Sequence, residues 1–268
     1  MRIFRGFDNL PTFVHAVATM GSFDGVHCGH KVLLQRTISL AKERGGESIV
    51  LTFEPHPRYV LGTAERMQLL STLEEKLWLL EQEGIDNVII IPFTKEFSHL
   101  KPQEFIEQDV AGIGVECFVV GYNHRFGHNK AGDYSSLKES GTKLEIHRVE
   151  QQLLDEGKVS STVVRQRVEQ GEMMMSARLL SHPYIIMGEI DKQGYICDID
   201  QNKLLPPAGK YKAILQPTSN ANNHNISNID NLPIVLLEVK DNRTIKINTA
   251  EEYRSLKVLL EINSDKLL

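Results

Sequence analysis

The sequence predicts an α/β protein: a doubly wound parallel sheet followed by a small, mainly β domain. Three observations carry this expectation. Short apolar runs alternate with segments of helical period over the first ~180 residues, the pattern of strands joined by crossover helices. Polar clusters follow several of these runs, which is where open α/β sheets place their chemistry. At His182-Pro183 the character changes, and short β-like segments take over.

Taken in order, residues 14–20 read as the first strand and 31–44 as a helix with Leu33, Leu34, Ile38 and Ala41 on one face. Gly45-Gly46 stops that helix. Residues 48–53 read as a strand. A helix follows over 71–83, with Ser71 and Glu74 as a capping box and Leu73, Leu77 and Leu80 as the apolar stripe. The run 88–91 is nearly all apolar, as a strand covered on both faces must be. Residues 102–110 read as helix, 117–120 and 144–149 as strands, and 161–170 and 172–180 as two short helices split by Gly171. Beyond the junction, strands are expected over 184–190, 211–215, 234–239 and 243–247, with a closing helix over 250–260. The Asn-rich stretch 219–231 reads as a loop or disordered tip. The domains are therefore expected at 1–182 and 183–268. No internal repeat is present.

Bulk properties narrow the function classes. Hydrophobic content of 41% with 24% charged residues fits a globular protein, and 268 residues suffice for two domains. A net charge of −5 argues against a general nucleic-acid or membrane-surface binder. The three scattered cysteines give no disulfide or metal framework. The start Met-Arg-Ile-Phe-Arg-Gly has no apolar signal core, and no segment is long enough to span a bilayer, so a reducing cytoplasm is the expectation.

The most informative run is Thr19-Met20-Gly21-Ser22-Phe23-Asp24-Gly25-Val26-His27-Cys28-Gly29-His30, between a strand and a helix. Its glycines let the backbone turn and approach a ligand closely. The first amides of a helix attract an anion, and two imidazoles at spacing i, i+3 can donate to phosphate oxygens. Zinc is not expected, because Cys28 points away from the histidine face and no second ligand pair accompanies it. Further polar clusters stand at 54–58, at 121–133 and at Val159-Ser160-Ser161-Thr162-Val163-Val164-Arg165. Taken singly, these have plain structural readings. The Ser-Ser-Thr run could be an ordinary helix cap, Arg165 a solvated helix residue, and Phe53 and Phe126 core. Pro55 and Pro57 could merely end a strand, and Asp24 could orient the turn. His56 and His124 read as structural or exposed, and Met173-Met174-Met175 as helix packing.

Together and in this order, the clusters resemble the bacterial bifunctional riboflavin kinase/FAD synthetase family, whose first half belongs to the HxGH nucleotidyltransferases. The resemblance rests on Gly21 to His30, on Thr52-Phe53-Glu54-Pro55-His56-Pro57, on Gly121-Tyr122-Asn123-His124-Arg125-Phe126-Gly127, and on Ser160-Ser161-Thr162 with Arg165. Arg178-Leu179-Leu180-Ser181-His182-Pro183-Tyr184 is similar to the family's junction between halves. The resemblance implies a Rossmann-like nucleotidyltransferase domain that transfers AMP from ATP to FMN, giving FAD and pyrophosphate. It implies catalytic roles for His27, His30, Ser161, Thr162 and Arg165. Nucleotide contacts would come from Gly21, Phe23, Asp24, Gly29 and Ser160. Flavin contacts would come from Phe53, Pro55, Pro57, Asn123, Arg125 and Phe126. Mg²⁺ would accompany ATP, held by phosphate oxygens and water rather than by protein ligands. ATP and FMN are the expected partners. An HxGH transferase acting on another phosphorylated metabolite, or a non-catalytic flavin or nucleotide binder, are the alternatives. The sequence carries no signal for oligomeric state or for ATP over CTP.

The second half departs from the family. The kinase barrel's Pro-Thr-Ala-Asn segment is missing after 184–190. Pro217-Thr218-Ser219-Asn220 comes in the wrong order, after Leu205-Pro206-Pro207-Ala208-Gly209-Lys210-Tyr211, and reads as coincidence. Glu238 could align with the family's base but would lack a metal site to serve. The expectation is a reduced, degenerate flavokinase-like barrel that has lost riboflavin phosphorylation. Within the first half, Cys28 stands where the family usually has Leu, and His124 replaces a frequent Phe.

Overall fold

The computed structural model describes residues 1–268 apart from 64–66, 123–131, 133, 140–141, 151–152, 155–156, 219–231, 242, 250 and 268. The chain divides into two compact units. The first is Met1–Met67 with Leu77–Lys158, and the second is Gln68–Lys76 with Val159–Leu268.

The first unit is built on six strands: β1 (Arg2–Arg5), β2 (Ala16–Met20), β3 (Ser48–Glu54), β4 (Asn87–Pro92), β5 (Val115–Gly121) and β6 (Glu145–Val149). They form one sheet in the order β1-β4-β3-β2-β5-β6, and every neighbouring pair is parallel. Parallel strands need crossovers, which here include α1 (Cys28–Glu43), α2 (Pro57–Val60), α3 (Leu73–Gln82), α4 (Lys95–Ser98), α5 (Pro102–Glu104) and α6 (Tyr134–Glu139). A two-residue antiparallel pair, β7 (Leu153–Leu154) and β8 (Gly157–Lys158), follows β6. The chain winds outward from β2 through β3 and β4, then returns to start β5 on the other side of β2. The crevice between the carboxyl ends of β2 and β5 is therefore the switch point of a doubly wound sheet. All of β2 is buried, and β3, β4 and β5 add Leu51, Ile89 and Phe118 to a core with no exposed surface at those positions.

Beyond its 68–76 segment, the second unit contains α7 (Ser161–Glu169) and α8 (Met173–Leu180), followed by β9 (Tyr184–Ile190), β10 (Tyr195–Cys197), β11 (Gly209–Pro217), β12 (Ile234–Val239), β13 (Ile245–Asn248) and β14 (Lys257–Ile262). These strands close into a barrel in the order β10-β13-β12-β11-β14-β9, antiparallel throughout. Alternation along β12 turns Val235, Leu237 and Val239 inward and leaves Ile234 and Leu236 outside. Tyr184 and Tyr211 are the largest fully buried side chains.

The expected class, a doubly wound parallel sheet with a mainly β domain after it, is the one observed. The structure departs locally from the sequence pattern at four places. The closing helix over 250–260 is instead a 3-10 turn, Glu251–Tyr253, followed by β14. Leucine favours helix in isolation, but here barrel closure against β9 and β11 decides, and tertiary pairing overrides propensity. The capping box sits one residue later than expected. Thr72 and Glu75 exchange the two bonds: the Thr72 amide donates to Glu75 Oε2 at 2.8 Å, and the Glu75 amide donates to Thr72 Oγ1 at 3.2 Å. Glu74 instead pairs with Lys257 at 2.5 Å. The run 102–110 is helical, but α5 passes into a π-helix over Phe105–Val110. β1, flanked by arginines and half exposed, escaped the sequence reading altogether because edge strands lack a continuous apolar signature. The Asn-rich stretch 219–231 lies outside the described residues.

Candidate active site

The turn after β2 is held in an unusual backbone. Phe23 (φ 46°) and Val26 (φ 39°) both adopt the left-handed region, which a β-branched residue rarely enters. Both are fully buried, so core packing offsets the strain. Gly21 is tied to β3 by its amide, which donates to Leu51 O at 3.0 Å. Asp24 is buried within this turn.

The turn delivers His27 as the N-cap of α1, whose first residue, Cys28, lies three residues before the expected helix start. His27 has extended dihedrals, and its Nδ1 accepts from the His30 amide at 3.4 Å. The same amide donates to His27 O at 2.7 Å, so it is shared between the two acceptors. His30, on the first turn, stacks on His27 with centroids 3.7 Å apart and planes at 14°. Phe23 meets the His30 ring edge-on at 5.2 Å. Gly29 leaves room beside the stack: a Cβ there would stand 3.3 Å from the His27 ring, and the ring would have to yield slightly. Two positive rings in contact would repel, and a polyphosphate alongside would offset that repulsion.

Neighbouring groups are quieter. Lys31 is paired with Glu83 at 2.7 Å, both largely buried, so its charge is already matched within the unit. Burial pushes the Cys28 thiol up from its ordinary value, against the lowering influence of the Gly29 amide and Lys31. A thiol held protonated is a poor nucleophile.

The segments that follow β3 and β5 begin at the same end of this parallel sheet. After β3, Pro55 is exposed and Pro57 starts α2, with His56 as its N-cap accepting from the Arg58 amide at 3.2 Å. Phe53, 9% exposed, packs against Phe93 (5.3 Å) and Phe97 (6.0 Å). After β5, Gly121 is followed by Tyr122. Asn123, Arg125 and Phe126 lie outside the described residues, as does His124. Tyr122, to which the sequence reading gave no role, is 44% exposed, and the Arg148 guanidinium lies 5.3 Å from its ring centroid. Arg148 comes from β6, where it is paired with Val120.

The fourth cluster belongs to the second unit. Ser160 caps α7, its Oγ accepting from the Val163 amide at 3.4 Å, which is the ordinary capping role set out above. Ser161 and Thr162 occupy the first helical turn, Ser161 half-buried and Thr162 exposed. Arg165 is no solvated helix residue: it is 9% exposed, and its Nε donates to the Gln68 carbonyl at 2.8 Å. The sequence offered no sign of that anchor, nor of the buried Lys203–Glu75 pair in the same unit, because both join residues far apart in the chain.

Comparison with known proteins decides the family. A family model described as FAD synthetase matches residues 11–163, more than half of the chain. The chain belongs to the FAD synthetase family. Curated relatives carry the name bifunctional riboflavin kinase/FMN adenylyltransferase. The Listeria monocytogenes protein is 31% identical over 212 residues, covering 75% of this chain and 68% of its own. The Bacillus subtilis protein is 30% identical, covering 73% and 66%. The Escherichia coli K12 protein is 34% identical, covering 71% and 62%. The match thus spans about two thirds of the length of these FAD synthetase relatives. A solved structure described as a macrolide-efflux protein from Streptococcus pneumoniae superposes with a TM-score of 0.82, at 20% identity and over 100% of both chains. At that identity the likeness concerns the fold alone. No helix among the described residues is long and apolar enough to cross a membrane.

Proposed function

We propose that this protein is an FMN adenylyltransferase. It transfers AMP from ATP to the phosphate of FMN, producing FAD and pyrophosphate. The observation that carries the reading is the His27–Gly29–His30 arrangement: a strained turn, a capping imidazole and a second imidazole stacked on it, at the carboxyl end of a central parallel strand in a FAD synthetase family member.

In this reading a phosphate oxygen of FMN attacks the α-phosphorus of ATP in line. A P–O bond forms to that phosphorus, the bond to the bridging oxygen breaks, and pyrophosphate departs with the electron pair. No protein nucleophile is required, so the chain contributes position and charge stabilisation. His27 and His30 donate to phosphate oxygens and stabilise charge as it moves onto pyrophosphate. Phosphate contacts are assigned likewise to Ser161, Thr162 and Arg165, whose planar guanidinium suits a phosphate better than a lysine would. Gly21, Phe23, Asp24, Gly29 and Ser160 shape the nucleotide contacts. Pro55 and Pro57 supply apolar surface to the flavin, with Asn123, Arg125 and Phe126 assigned there by the resemblance. Mg²⁺, when bound to ATP, neutralises phosphate charge.

We further propose that riboflavin phosphorylation is lost. Thr218, in the segment that superficially echoes the kinase motif, donates its amide (2.9 Å) and hydroxyl (3.3 Å) to Lys257 O, so it serves barrel closure between β11 and β14. Pure protein incubated with FMN, ATP and Mg²⁺ is expected to yield FAD and pyrophosphate in equal amounts. The same protein with riboflavin in place of FMN is expected to yield no FMN. Failure to form FAD from FMN would overturn the transferase reading, and FMN formation would overturn the loss.

A further inference from the structure

We infer that the buried Lys203–Glu75 pair is a positioning device for Arg165: it fastens the 68–76 segment so that the Gln68 carbonyl holds the guanidinium in a fixed plane. The inference rests on the reading of Arg165 as a ligand for the phosphates of ATP.

All of the parts lie in the second unit. Lys203 and Glu75 have no exposed surface. Lys203 Nζ donates to Glu75 Oε2 (2.6 Å), Leu70 O (2.7 Å) and Ile185 O (2.8 Å), which employs every hydrogen of the ammonium. The same ammonium lies 4.3 Å from the Tyr184 ring centroid. Glu75 is equally committed, its Oε1 accepting from the Met187 amide at 2.9 Å and its Oε2 from the Thr72 amide at 2.8 Å. The pair therefore joins the 68–76 segment to β9 and to the loop ahead of β11.

A second fastening lies next to it. Leu69 and Lys203 form a parallel bridge, with the Leu69 amide donating to Asn202 O at 2.7 Å and the Leu204 amide donating to Leu69 O at 2.8 Å. Gln68 is the next residue back, and its carbonyl receives Arg165 Nε. A bond at Nε orients the plane of a guanidinium, and so aims its Nη donors. Arg243 steadies the other side by donating from Nη2 to Lys203 O at 2.7 Å.

An apolar pair of similar volume would stabilise such a core at least as well, so stability alone is a weak reason for burying two charges. What the charges add is register. If the segment slipped by one residue along Lys203, a carboxylate and an ammonium would be left buried without partners, and that cost excludes the slipped state. The barrel, without the family's kinase segment, thereby has a task in adenylyl transfer: it mounts the arginine.

The test uses the full chain carrying Lys203→Met and Glu75→Gln together, which removes both charges at nearly constant volume. The folded double variant is expected to show a KM for ATP raised about fivefold, the size typical of indirect couplings, with the KM for FMN unchanged and kcat affected less. In an Arg165→Ala background the same pair of changes is expected to add nothing. The Nε–H resonance of Arg165 in proton–nitrogen spectra should shift and exchange faster. An unaltered KM for ATP, or an unaltered Nε–H resonance, in the folded double variant would overturn the inference. If Arg165→Ala alone leaves the KM for ATP unaltered, the phosphate-ligand reading falls, while the resonance still judges the positioning. Should the double variant not fold, Arg243→Asn loosens Lys203 without touching a buried charge. It is expected to move the same resonance by a smaller amount, and no movement would again overturn the inference.

Discussion

Replacing His30 by alanine is expected to lower kcat for FAD formation by about 10²–10³-fold, the usual loss when one preorganised donor to a developing charge is removed. The expectation follows from the stack. His30 is held between the His27 ring and the edge of Phe23, so its orientation is set before substrate arrives. Preorganisation of this kind is what makes a donor effective in the transition state, because no reorganisation is needed as charge shifts. The helix should survive the change, since the capping group is His27 and alanine is a good helix former. Steady-state kinetics with FMN and ATP, alongside a thermal melt, separate catalysis from folding. A rate within threefold of the parent protein would refute the assignment of His30 to the reacting phosphates.

The second large effect is on stability. Lys203→Met alone is expected to destabilise the protein by about 3–5 kcal/mol, because breaking a buried pair from one side leaves an uncompensated charge. Glu75 would keep its bonds from the Met187 and Thr72 amides, but its carboxylate would remain fully buried with no cation beside it. Adding Glu75→Gln should restore most of the loss, because a neutral amide tolerates that environment far better. Urea unfolding followed by the fluorescence of the one tryptophan, Trp78, reads the effect, since Trp78 sits on α3 three positions beyond Glu75. If the single variant were as stable as the parent, the pair would be energetically idle and the register argument would lose its ground.

Much of this was legible in the residues. The buried parallel strands announce themselves because both of their faces are covered, so the apolar run at β4 needs no alternation. The Gly-rich turn and the two histidines are local, and local geometry is written in local sequence. What escaped were features made by partners far apart in the chain. β14 carries leucines that favour helix in isolation, and only β9 and β11 make it a strand. The capping box slipped by one residue because Ser71-Thr72 and Glu74-Glu75 offer two equivalent readings, and only the bonds to Thr72 and Glu75 choose between them. Arg165 and Lys203 carried no signature at all, because Gln68 and Glu75 lie 97 and 128 residues away from them.

The short excursion of the chain over residues 68–76 has a practical corollary for anyone dissecting the gene. It lies amid the codons for the sheet, yet folds with the barrel. A transcript cut at the apparent border, after residue 182, would keep the acidic half of the Lys203 pair and discard the basic half. The bare acid would then need to be recoded to a neutral residue before such a fragment could stand by itself.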